Sequence, residues 1–335
     1  MKKLEWIEVM RGLAAIWVLL HHAQLAVNAF VGVAPSRLIA NGHLGVDFFF
    51  VLSGFIIALS CERMILKGTG FSRYAEARLL RIYVPYLPIG ITMLALYSMA
   101  PSLSEGGRSL SRLTSFTLLP ANDPPALSVA WTLVHEMLFY TLFSIIFLSR
   151  RVLAVILLVW MLIILSVNFC NGELSRFSSY FLSPINLCFI LGAVTYYATN
   201  NGVRHKIGWG ALVLGTILII SQASSQEPQR IALAIGFAAL IVAAASDIAL
   251  NISPNRYLIT LGAASYSIYL IHNPIESVAV RMAKFMNTTP WIAFGIVAAT
   301  GLGAGIAYHF VYERKALQIV RSWLASSKLK ADVIR

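Results

Sequence analysis

An arginine at position 11 and a histidine pair at 21 and 22 share one apolar run, RGLAAIWVLLHH. Other stretches that are otherwise apolar carry acids and imidazoles too. Asp47 follows His43 in HLGVDFFFVLSGF, Glu136 follows His135 in SVAWTLVHEMLFY, and His272 precedes Asn273 in SYSIYLIHNPI. Arg78 and Arg81 stand three apart in FSRYAEARLLRIYVPY. Two kinds of chemistry are on offer. Imidazoles and carboxylates take up and return protons, and each can orient the other. Arginine forks match phosphate bidentately, and residues three apart share a helical face, so Arg11, Arg78 and Arg81 form a candidate anion cradle.

These residues need a scaffold that crosses a bilayer. Hydrophobic residues make up 58% of the 335, charged residues only 12%, and mean hydropathy is +0.75. Soluble domains carry about 25% charged residues. The composition therefore indicates an all-α, polytopic membrane helix bundle. Ten apolar runs are long enough to span, at about 10–29, 43–61, 82–100, 128–148, 152–169, 183–199, 208–221, 231–250, 257–279 and 291–311. The first follows a short basic start with no small-residue cleavage site and reads as a retained span rather than a leader. No loop is long enough to bury a core of its own, so residues 1–335 read as one membrane domain.

The net charge of +12 is mostly topology. With both termini cytoplasmic, most basic residues fall on the inner side, leaving Arg37, Arg108, Arg112, Arg176, Arg230, Arg281 and Lys284 outside. That bias follows the positive-inside rule and removes the need for a nucleic-acid partner. Residues 312–335 read as a basic amphipathic helix lying on the inner lipid surface. Topology also fixes depth. Arg11 and His22 are separated by about 16 Å of helical rise, which takes His22 into the outer half of the bilayer. Asp47, Glu136 and His272 arrive on other spans at overlapping depths, and ionisable groups there are functional candidates by default.

Each candidate also has a plainer use. The three arginines serve topology and lipid headgroups, His43 sits wet at an interface, and Asp47 suits a helix start. Neighbours on a helix diverge by about 100°, so His21 and His22 cannot face one site, and neither can His135 and Glu136. Of the latter pair the carboxylate is the better functional candidate. Phe48, Phe49, Phe50 and Phe55 read as packing, and Ser53 with Gly54 as a close helix approach. The three cysteines have no metal or disulfide spacing, and no metal site is expected. A proton-coupled transporter built on the His, Glu and Asp cluster is the rival from another class, although no paired broken helices support it.

Five segments in order make a resemblance. They are Arg11 with ten residues to His22, GVDFFFVLSGFIIA at 45–58, RLLRIYVPY at 78–86, WTLVHEMLFY at 131–140 and SYSIYLIHNPI at 265–275. Together the chain resembles the integral-membrane acyltransferase-3 family, which O-acylates cell-envelope sugars. The resemblance implies a multi-pass protein of the bacterial inner membrane. Its co-substrate would be acetyl-CoA or another acyl-CoA, with no tightly bound cofactor. Its acceptor would be a glycan or lipid-linked saccharide hydroxyl of an exopolysaccharide, O-antigen or lipo-oligosaccharide. By the same resemblance, the arginine–histidine pair maps onto Arg11 and His22, the paired arginines onto Arg78 and Arg81, and the span-four acid onto Glu136. Asp47, Trp131, Tyr266 and His272 occupy motif positions. The expected scheme has the arginines holding donor phosphates and His22 acting as general base, with Glu136 or Asp47 setting its tautomer. An acyl-histidine intermediate is the competing route, and Tyr266, Asn273 and His272 are candidate oxyanion donors.

Overall fold

The computed structural model describes residues 2–32, 36–101, 109–170, 174–200, 205–223, 225, 229–246 and 253–333. Arg108, Arg204 and the expected end of the eighth span at 250 lie outside them. The regular elements among the described residues are helices. In chain order the long ones are α1 (Lys2–Phe30), α2 (Gly45–Leu66), α3 (Phe71–Met99), α4 (Trp131–Phe143), α5 (Arg150–Phe169), α6 (Ile185–Thr199), α7 (His205–Ala223), α8 (Arg230–Ala245), α9 (Arg256–Phe285), α10 (Pro290–Tyr308) and α11 (Arg314–Val333). Ser149 and Asn255 cap α5 and α9 by accepting from backbone N–H groups two or three residues on, and Pro290 opens α10.

The chain is a polytopic membrane helix bundle, although not every span carries the signature that composition led one to expect. Eight helices among the described residues are long and apolar enough to cross a bilayer. Two of the ten expected spans fall short of that. The α8 helix has only 16 residues. The α9 helix has 30, but Ser265, Ser267, His272, Asn273 and Glu276 interrupt its apolar run. The polar groups that dilute α9 face protein: Ser265, Ser267, His272 and Glu276 are all buried. The α5 and α7 helices do the reverse, exposing Val155, Leu158, Leu162, Val213 and Ile217, as lipid-facing helices do.

Small residues let the central helices touch. A Cβ on Gly262 of α9 would lie 2.0 Å from the Glu8 carbonyl oxygen of α1, and one on Gly192 of α6 would lie 1.9 Å from the Val51 carbonyl of α2. Only glycine fits such crossings, and backbone contact replaces the hydrophobic drive that lipid does not supply. Ala15 and Leu19 of α1 pack on Ala264 and Ile268 of α9 above the Gly12–Gly262 contact.

Helix α3 carries Pro85 and Pro88, which lack N–H groups for the carbonyls of Arg81 and Val84. Phenols from other helices bond to carbonyls in this stretch. Tyr312 donates to the Val84 carbonyl at 3.3 Å, Tyr308 to Pro85 at 2.8 Å and Tyr266 to Ile82 at 3.1 Å. Backbone groups left open by proline must find such partners at membrane depth. The same bonds clamp the segment after Arg78 and Arg81 against α9 and α10.

Candidate active site

Among the described residues the bundle encloses a polar region of arginines and another of imidazoles. The first is a cleft enclosing about 760 Å³, part of it open to solvent, among α1, α2, α3, α4 and α9. Arg11, Arg78 and Arg81 line it together with Glu136, Tyr140, Ser265, Tyr266 and Tyr269. The arginines that spacing assembled into a cradle do share one cavity. Arg11 is buried and holds Glu8, one turn back, through its Nη1 at 3.0 and 3.2 Å. The Arg78 guanidinium lies 5.5 Å from the Tyr74 ring and 5.2 Å from the Tyr140 ring, within cation–π range. Its Nε is buried without a hydrogen-bond partner among the described residues.

Glu136 is the one acid among the residues lining the cleft. Its Oε1 accepts a 2.5 Å hydrogen bond from Tyr140, one turn further along α4. With Arg11 already paired to Glu8, three cations still face only two carboxylates, which leaves the cleft positive, a setting for a polyanion. Its wall also carries Phe49, Phe50, Leu52, Ile56 and Phe139, so the charge lies beside apolar surface.

The second region is a row of imidazoles. Ring centroids are 5.3 Å apart for His43 and His21, 5.3 Å for His21 and His22, and 5.2 Å for His22 and His272. The row runs from exposed His43 to buried His272. It is linear rather than convergent, and no group of three potential ligands among the described residues is placed to hold a metal ion. His272 Nδ1 lies 3.1 Å from the Ile268 carbonyl. A carbonyl only accepts, so Nδ1 carries the hydrogen and Nε2 holds a free lone pair. That Nε2 is buried and has no partner among the described residues. Tyr269 joins the regions: it lines the cleft, and its ring centroid is 5.8 Å from that of His272.

The carboxylates stand elsewhere than expected. Asp47 accepts a 2.8 Å ion pair from Nε of Arg230 at the start of α8 and a long hydrogen bond from the Cys188 thiol at 3.7 Å. Glu136 turns into the arginine cleft. His22 instead meets Asn273, whose Nδ2 is 3.3 Å from its Nδ1. The expected depths put these groups at one level with His22, but Glu136 lines the cleft with Arg11, eleven residues before His22 on α1, and Asp47 pairs with α8. His135, beside Glu136, pairs with Asn186 at 2.9 Å and packs between aromatic rings, the structural use that the adjacent-residue rule leaves for it.

Sequence reasoning passed over several participants. Tyr140 and Glu8 were visible as helical-turn neighbours of Glu136 and Arg11. Arg230 was not: nothing local ties it to Asp47, 183 positions away. Nor was Glu313, which accepts from Ser267 at 2.5 Å and pairs with His309 at 2.7 Å.

Residues 4–309 match the acyltransferase-3 family model, described as an acyltransferase domain. The chain belongs to that family. Among curated relatives, an exopolysaccharide production protein, ExoZ of Rhizobium meliloti (strain 1021), is 26% identical over 303 residues, covering 83% of this chain and 90% of its own. Protein 2 in the picA locus of Rhizobium radiobacter is 28% identical over 151 residues, 38% of this chain and 73% of its own. No solved structure matches. This acyltransferase-3 protein thus places an arginine-lined cleft and an imidazole row within one helix bundle.

Proposed function

We propose that the protein moves an acyl group, in the first instance acetyl, from acyl-CoA to a hydroxyl of an exopolysaccharide or its lipid-linked precursor. The observation that carries this reading is the cleft in which Arg11, Arg78 and Arg81 meet one carboxylate, leading along α9 through Tyr269 toward the imidazole row. Acyl-CoA has a matching layout, with phosphates at one end and the thioester at the end of a long arm. The name of ExoZ supports an exopolysaccharide acceptor, and the bacterial sources of the relatives support a bacterial inner membrane.

In this scheme the arginines hold phosphate oxygens at the basic end of the bundle. The acceptor hydroxyl gives its proton to neutral His22 as its oxygen bonds to the thioester carbonyl carbon. The tetrahedral adduct collapses, the carbon–sulfur bond breaks, and the departing thiolate takes the proton back from the imidazolium. His22 ends neutral, so no net proton is consumed. Tyr269 and His272 flank the path and exclude water.

The test uses membranes of the producing bacterium with its own gene deleted and the protein supplied in trans, given acetyl-CoA labelled in the acetyl group. Base-labile label should enter the polysaccharide with wild type and not with His22→Ala, while His22→Ala still binds the donor. A wild type that incorporates no label overturns the reading. If solute movement then responds to His22→Ala, the protein is a transporter.

A further inference from the structure

His22 has a polar neighbour that is not a carboxylate. Asn273 of α9 approaches its Nδ1 to 3.3 Å across the α1–α9 interface, and its side chain makes no other hydrogen bond among the described residues. An amide carries a donor and an acceptor of nearly equal shape, so a half-turn about its last side-chain bond exchanges Nδ2 for Oδ1 at the same place. No second bond resists that turn. The sense of the contact decides what His22 can do. With Nδ2 donating, Nδ1 holds the lone pair and the hydrogen sits on Nε2, which cannot then act as a base. With Oδ1 accepting, Nδ1 holds the hydrogen and Nε2 is free.

We propose that Asn273 is the positioning residue of His22, its amide oxygen taking the Nδ1 hydrogen so that Nε2 is the proton acceptor. This rests on the reading of His22 as general base. The hydroxyl proton goes to Nε2 and returns from Nε2 to the thiolate, while the Nδ1 hydrogen stays bonded to Asn273 throughout. Asparagine plays this part in Cys-His-Asn proteases, where it orients imidazole without adding charge. The membrane interior gives a reason for preferring it here. A carboxylate at this site would need its own counter-charge, as Asp47 has in Arg230. The imidazoles of His21 on α1 and His272 on α9 pack against the His22 ring, with His43 beyond His21, and none of them is hydrogen-bonded to it among the described residues. Pro274 follows Asn273 and cannot donate to the Leu270 carbonyl, so one helical hydrogen bond is missing next to the amide.

The experiment compares Asn273→Leu, which keeps the volume without polar atoms, and Asn273→Asp, whose carboxylate only accepts. Label transfer from acetyl-CoA is measured in the same membranes, with donor affinity measured on detergent-purified protein that elutes as a single folded species. Asn273→Leu should lose turnover about ten- to a hundredfold with donor affinity unchanged, and Asn273→Asp should recover most of it, because the His22 imidazolium that forms in the step supplies the carboxylate's counter-charge. Loss in both variants with the donor still bound overturns the proposal, because the amide would then be needed as a donor or as packing. Wild-type turnover in Asn273→Leu overturns it as well. His22→Ala run alongside separates the two levels. If it is inactive while both Asn273 variants work, only the positioning role fails. If it is active, the His22 reading fails.

Discussion

The Tyr140 phenol donates a 2.5 Å hydrogen bond to Oε1 of Glu136 one turn earlier on α4, while the face of its ring lies 5.2 Å from the Arg78 guanidinium. One side chain thus ties the single acid of the cleft to its cations. Glu136→Gln keeps the shape and removes the charge. Turnover should fall at least tenfold while acyl-CoA binds no more weakly, since the cleft becomes more positive. Titration calorimetry beside labelled-acetyl transfer checks this, and weaker donor binding would show that Glu136 merely packs.

The arginines should act on the donor before any chemistry begins. A hydrogen bond to a charged group contributes about 1.5–3 kcal/mol, and about 1.4 kcal/mol is tenfold in affinity. Arg81→Ala and Arg11→Ala should each raise the dissociation constant for acetyl-CoA roughly ten- to a hundredfold. The loss should be much smaller for a donor thioester that lacks the nucleotide phosphates. Equal effects on both donors would remove the phosphate cradle.

Asp47 is buried and its partner Arg230 is partly exposed, so their pair ties α2 to α8 rather than to His22. Removing one partner strands the other, which costs more than removing both. Arg230→Met and Asp47→Asn should each lower the melting temperature of the purified protein, and the double variant should melt above the worse single. Strictly additive losses would show that the pair contributes no coupling.

Gly192 and Gly295 offer a contrast in helix packing. A Cβ at 192 would fall 1.9 Å from the Val51 carbonyl, whereas one at 295 meets nothing within 4 Å. Gly192→Ala should abolish recovery of monodisperse protein from detergent, and Gly295→Ala should leave it unchanged. Size-exclusion chromatography reads the difference.

How far the sequence carried the site can be seen from particular residues. Arg11, Arg78 and Arg81, grouped by spacing and by the basic end of the topology, line one cleft. The five ordered segments led to the family. The divergence of His21 from His22 held, with His21 turned toward His43 and His22 toward His272 and Asn273. The carboxylate beside His22 did not. Run positions assigned Asp47 and Glu136 its depth, but Glu136 lines the cleft with Arg11 and Asp47 meets Arg230, because a nominal depth does not say which groups helix packing brings together.

Apolar run length, charge content and local spacing by themselves determined a helical membrane bundle and which ionisable residues share a helical face. These are one-dimensional quantities, set by rise per residue and by the cost of charge in lipid. Which groups meet was decided by the tertiary structure. Glycine contacts such as Gly262 against Glu8 and Gly192 against Val51 set how closely the helices approach and so which faces turn inward. That packing gave Arg230 to Asp47, the arginines to Glu136, and Asn273 to His22.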